Sequence, residues 1–148
     1  MRREGVNSAP TAPASQPKGV VNAYTIKLLQ RAGFDVSQVR SKSWNEFAKP
    51  GAPQFDFVIT LCDDDANEPC PIFPGKPVTA RWSVADPAAV KGTDVEIARA
   101  FAQAHNILQR RIDLLVALKI SSLDQMSLRA RLREIARRED ARTRASAA

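Results

Sequence analysis

The hydrophobic pattern is sharpest at Phe55–Leu61. There an apolar, β-rich run, Phe57-Val58-Ile59-Thr60-Leu61, leads straight into Cys62. An unbroken run of this kind, bounded by turn residues, predicts a buried strand of a parallel sheet. Val78–Trp82 alternates and predicts a neighbouring parallel strand, with Pro74-Gly75-Lys76-Pro77 as the turn before it. In open α/β sheets, ligands sit just beyond the carboxyl ends of such strands. That places Cys62 where chemistry is usually done, with Cys70 on the loop above it.

The remaining periodicity is helical. Asn22 predicts an N-cap for a helix over Ala23–Ala32, with Ile26, Leu28 and Leu29 as its apolar stripe and Gly33 closing it. Ser43-Trp44-Asn45-Glu46 fits a capping box and predicts a short helix over Trp44–Ala48, stopped by Pro50, Gly51 and Pro53. Thr93-Asp94-Val95-Glu96 is a second capping box. It opens a long helix to about Leu118 with Val95, Ala98, Phe101, Ile112 and Leu115 facing inward. Ser122-Leu123-Asp124-Gln125 caps a last helix to about Arg138, with Leu128, Leu132 and Ile135 as its stripe. Strands separated by helices predict an α/β, doubly wound parallel sheet.

Three segments follow. Residues 1–19 are rich in Pro, Ala and Ser and read as extended, with weak strand character at Glu4–Ala9. Residues 20–138 read as the α/β domain, and 139–148 as a disordered basic tail.

The 148 residues suffice for one domain with a real core. No apolar stretch approaches the roughly 18 residues that span a membrane. The start, MRREGVNSAP, lacks the apolar region of a signal peptide. Two cysteines in that setting predict a reducing, cytoplasmic compartment, where a pair is catalytic, redox-active or metal-binding rather than a permanent staple. Net charge is +6, and from Ser127 onward seven arginines face only Glu134, Glu139 and Asp140. No aromatic residues are interleaved there, so the run reads as a solvated helix face rather than a nucleic-acid surface.

The cysteines carry the clearest chemistry. Their C-x7-C spacing is not that of a zinc knuckle, and His105, the one histidine, falls in mid-helix, so neither a metal nor a cofactor is expected. A redox pair fits better: one thiolate attacks and a second resolves the mixed disulfide, provided that a loop brings the sulfurs together. Two inert thiols fit the spacing as well. Asp63-Asp64-Asp65 lacks the glycine and closing glutamate of a calcium loop. Asp86-Pro87 places a carboxyl group on a loop beyond a strand, where it could act as a general acid.

Together, several stretches resemble the thioredoxin-coupled arsenate reductases, which share the low-molecular-weight protein tyrosine phosphatase fold. They are Val21-Asn22-Ala23-Tyr24, Arg40–Phe47 (RSKSWNEF), Phe55–Cys62 (FDFVITLC), Cys70-Pro71, Trp82, Asp86-Pro87-Ala88 and the closing Leu118–Arg138 stretch. The resemblance covers about Ser8 to Ile135. It implies arsenic detoxification, in which arsenate is reduced to arsenite by a cysteine relay. A cysteine in a C-x5-R phosphate loop attacks arsenate, a second cysteine releases arsenite, and a third traps the second as a redox-active disulfide. A thioredoxin-type reductant then reopens that disulfide. By position, Cys62 matches the second cysteine, Cys70 the third, and Asp86 the acid that protonates the departing oxygen.

This sequence departs from the family at one decisive point: it contains no C-x5-R motif. The expectation is a phosphatase-type sheet without its first, central strand and first helix, roughly 25–40 residues. Without that segment there is no primary nucleophile and no cradle of N–H groups for an oxyanion. The family's His-Trp-Gly stretch is Arg81-Trp82-Ser83 here. On this reading the chain alone is inactive. The alternatives are a low-molecular-weight tyrosine phosphatase, which uses the Asp-Pro acid without the cysteine relay, and a non-catalytic remnant or interaction module.

Overall fold

Three local signals in the sequence become the three α-helix starts of the computed structural model. It describes residues 13–14, 19–61, 73–120 and 123–147. Glu4–Ala9, Cys62, Cys70 and Ser122 lie outside the described residues. The chain forms two compact units, Met1–Pro53 and Gln54–Ala148. The boundary falls at the Pro50-Gly51-Pro53 breaker, inside the segment that the sequence reads as one domain.

In the first unit, β1 (Pro13–Ala14) pairs in parallel with β2 (Lys42–Ser43). Between them runs α1 (Ala23–Arg31). Asn22 Oδ1 accepts from the Tyr24 N–H at 2.9 Å, which satisfies an otherwise orphaned donor. Gly33 closes the helix in the left-handed region at φ +82°, with its N–H donating to Gln30 O and that of Phe34 to Leu29 O. This is a Schellman ending, which glycine adopts without a Cβ penalty. The expected stripe of Ile26, Leu28 and Leu29 is half-buried.

The second capped segment, Trp44–Phe47, is a 3-10 helix rather than an α-helix, and its capping box does not close as expected. Ser43 Oγ accepts from the Asn45 N–H, while Glu46 turns to Arg40 in a two-point pair of 3.1 and 2.7 Å. That pair holds the Glu46 carboxyl below its usual range.

In the second unit, β3 (Phe57–Thr60) and β4 (Val78–Arg81) are parallel, with Phe57 opposite Val78 and Thr60 opposite Arg81. The pairing is as expected, but β3 is half-buried along its length rather than buried. Among the described residues its sheet has two strands, so β3 has a paired strand on one side only, whereas the strands of a full parallel sheet are buried on both faces. The mixed α/β class stands; among the described residues it comprises two two-stranded parallel sheets and three α-helices.

Two 23-residue helices complete the unit, α2 (Asp94–Val116) and α3 (Gln125–Ala147). The capping box at α2 is complete: Thr93 Oγ1 accepts from the Glu96 N–H, and Glu96 Oε2 accepts from the Thr93 N–H at 2.8 Å. That second bond, then the Thr93 hydroxyl, pulls the Glu96 carboxyl below its usual range. At α3, Asp124 takes the capping role, accepting from the N–H and hydroxyl of Ser127 at 2.8 Å each.

The core gathers Val78 and Trp82 from the β4 strand and its end, and Leu128, Leu132 and Ile135 from α3. The α3 stripe is therefore as expected. The inward face assigned to α2 is not. Phe101 is buried and Leu115 half-buried, but Val95, Ala98 and Ile112 are exposed. α3 also continues past Arg138 to Ala147, where the sequence predicts a disordered tail. Pairs to α2 account for the extension: Glu139 accepts from Arg110 Nε at 2.7 Å, and Asp140 accepts from Arg111. Both partners lie 29 residues away in the chain, beyond the reach of a local pattern.

Candidate active site

The parallel pairing of β3 and β4 brings their carboxyl ends together. The Trp82 N–H donates to Thr60 O at 2.9 Å, which locks the end of one strand to the other. β3 leads to Leu61, the last described residue before Cys62 in the sequence. β4 leads through Trp82 and Ser83 to Asp86. Cys62 and Cys70 lie outside the described residues, so of the three expected site residues Asp86 is the one with a described environment.

Asp86 is exposed and N-caps a short 3-10 turn, Pro87–Ala89. Its Oδ1 accepts from the Ala88 N–H at 2.9 Å, and its carbonyl accepts from the Ala89 N–H at 3.2 Å. Proline explains the arrangement. It keeps Asp86 extended, at ψ 109°, and occupies the first position of the turn, where a missing N–H costs nothing. The turn packs against α2. A carboxyl group held in this way, once protonated, can give its proton to an oxygen leaving a bound group.

The approach to Asp86 is built with more care than the sequence suggests. Trp82 is buried, and its indole Nε1 donates to Leu132 O of α3 at 3.2 Å. The next residue, Ser83, has its carbonyl held by Arg111 of α2 at 3.0 Å. Arg111 is 1% exposed, and its guanidinium carbon lies 5.9 Å from the Trp82 ring centroid. A second nitrogen reaches Asp140. One atom, Arg111 Nε, is buried with no hydrogen-bond partner among the described residues.

Sequence reasoning missed Arg111, Glu139 and Asp140. The one available signal was the match of two dipeptides, Arg110-Arg111 and Glu139-Asp140, on helices joined by a short connection. His105 is half-buried in mid-α2, as its position in the sequence suggests. Among the described residues, no group of three or more His, Cys, Asp or Glu side chains could hold a metal. A shallow depression lined by Glu134, Arg137, Arg138, Asp140, Ala141 and Arg144 belongs to α3 alone and has no wall from a second element. No described helix is long and apolar enough to cross a membrane.

No protein-family model matches this chain, and no curated protein matches it.

Proposed function

We propose that this chain carries the second half of an arsenate-reducing cysteine relay, with Cys62 and Cys70 as its redox pair and Asp86 as its acid. The observation that supports the reading is the parallel pair itself. β3 and β4 run in the same direction in matched register, so the segments entering Cys62 and Asp86 leave from the same end. We read the pair as part of a doubly wound sheet of the low-molecular-weight phosphatase type.

The chemistry balances as follows. A thiolate supplied from outside this sequence attacks arsenate and displaces one oxygen, which leaves as water after Asp86 protonates it. The Cys62 thiolate then attacks the sulfur of that adduct. An S–S bond forms, the As–S bond breaks, and its electron pair stays on arsenic, which leaves as arsenite. The Cys70 thiolate attacks the Cys62 sulfur and releases the first thiolate. A Cys62–Cys70 disulfide remains, and an external dithiol of the thioredoxin type reduces it. The two-electron reduction of arsenic is matched by oxidation of two thiols to one disulfide.

The test uses the chain as it stands. Mild oxidation is expected to give a monomer that has lost two hydrogens, with Cys62 and Cys70 joined in one peptide on mass mapping. A thioredoxin-type dithiol should reopen it faster than a monothiol does. Oxidation that yields only interchain disulfides or sulfinic acids would overturn the relay. Joining the chain to an upstream strand–loop–helix with a C-x5-R motif should give arsenite release that Cys62→Ser or Cys70→Ser abolishes. Aryl phosphate turnover that survives both changes, without arsenite release, would identify a phosphatase instead.

A further inference from the structure

We infer that Arg111 is a positioning residue: it fixes the approach to Asp86 so that the carboxyl group meets the carboxyl end of β3. The inference rests on the reading of Asp86 as the acid.

A guanidinium buried to this depth is costly. Removing a charge from water carries a penalty that its partners return only with good geometry, and an apolar side chain of similar volume often serves stability as well. Here the geometry is incomplete. Arg111 spends one nitrogen on Ser83 O, one on Asp140, and leaves Nε without an acceptor among the described residues. Stability alone therefore does not account for an arginine at this place.

Its geometry accounts for it better. The planar fork spans two acceptors in fixed directions, and its carbon lies over the Trp82 ring at 5.9 Å from the centroid. Ser83 is the first residue after the indole that is itself tied to α3. The backbone of Trp82 is bonded to β3, its ring to α3, and the next carbonyl to α2. From that three-way anchor only two residues, Val84 and Ala85, separate the chain from Asp86. Downstream, the Pro87–Ala89 turn packs on the same helix that carries Arg111. α2 thus holds both ends of the short segment that contains Asp86. An acid must lie within hydrogen-bond reach of the leaving oxygen, and a displacement of about 1 Å can cost on the order of a hundredfold in rate.

Arg111→Lys and Arg111→Met separate position from stability. Lysine keeps the charge but replaces the rigid two-nitrogen fork that holds Ser83 O and Asp140 with a single ammonium on a flexible stem; methionine keeps the volume. In the 148-residue chain, hydrogen exchange at the Ala88 and Ala89 amides is expected to quicken at least fivefold in both variants. The Val78 and Leu128 amides, bonded to Asp56 O and Asp124 O, should keep their protection. Unchanged exchange at Ala88 and Ala89, or an equal loss at all four, overturns the inference whatever the activity. In the arsenite-releasing form, Asp86→Asn should slow release and remove its dependence on the acid. Arg111→Met should slow it at least tenfold, and the double variant should be no slower than Asp86→Asn alone. Additive losses would make Arg111 merely structural. An Asp86→Asn variant of undiminished rate would overturn the acid reading instead, and the exchange result would then still decide whether Arg111 positions the turn.

Discussion

α2 and α3 have the same length and lie side by side, yet they relate sequence to burial in opposite ways. α3 is crowded with arginine, and its apolar residues are few. Every residue of its expected stripe is nonetheless buried, and Leu132 has no exposed surface at all. α2 is richer in aliphatic residues, but Val95 is 68% exposed and Val116 74%, and its deepest residue is Arg111. Periodicity states which residues share a face. What lies across from that face decides whether it is buried. The α3 stripe meets β4 and Trp82, whereas α2 meets the sheet end through a guanidinium and the Asp86 turn.

The largest expected effect tests the α3 side. Leu132→Ala should cost about 2–5 kcal/mol in chemical denaturation, the range for deleting a fully packed leucine. A loss below 1 kcal/mol would show that the core does not centre on this helix. Glu139→Ala comes next. It removes the acceptor of Arg110, but Arg110 remains 39% exposed and can rehydrate, so about 1–2 kcal/mol is expected. Circular dichroism should also show fraying of the segment past Arg138. A full helical signal in that variant would mean that the extension does not depend on the pairing with α2.

Thr93→Ala should cost about 1 kcal/mol, the usual value for losing an N-cap hydroxyl. It tests whether α2 is started locally even though its burial is not. Ile112→Ala should fall within about 0.5 kcal/mol, because the side chain is already exposed. A large loss there would restore the inward face that periodicity assigns to α2.

The smallest effect is a gentle pH dependence. Hydrogen bonds from the backbone and then the side chain of Thr93 lower the Glu96 carboxyl, and those of Ser127 lower Asp124. The Arg138 side chain lowers Glu134. A carboxyl group whose folded value lies below its unfolded value stabilises fully above the unfolded value. That contribution disappears as pH falls through the folded value. Helix signal should therefore hold steady at neutral pH and decline only below the usual carboxylate range. Thr93→Ala should flatten part of that decline, since it removes one cause of the shift. An unchanged acid profile in that variant would show that the capping box contributes nothing to it.

Much of the site was legible only in part. The Asp86-Pro87 pair is readable because proline dictates the backbone of the residue before it. The parallel pairing of β3 and β4 is readable from two β-rich runs separated by a long connection. The hold on the segment between them is not. It depends on Arg111, whose sequence neighbours give no hint that it lies beneath Trp82.

The sequence by itself determined what one or two turns of backbone can decide: the Asn22 and Thr93–Glu96 caps, the Gly33 ending, the proline breakers and the Leu128–Leu132–Ile135 face. These depend on hydrogen bonds and side-chain spacings within about four residues. Tertiary structure decided which helical face is buried, that α3 continues to Ala147, and that a charged side chain anchors the chain ahead of Asp86. Those outcomes depend on partners 28, 29 and 50 residues apart in the chain. The cost of burying a charge, or the gain from burying a methyl group, is fixed only when its neighbours arrive.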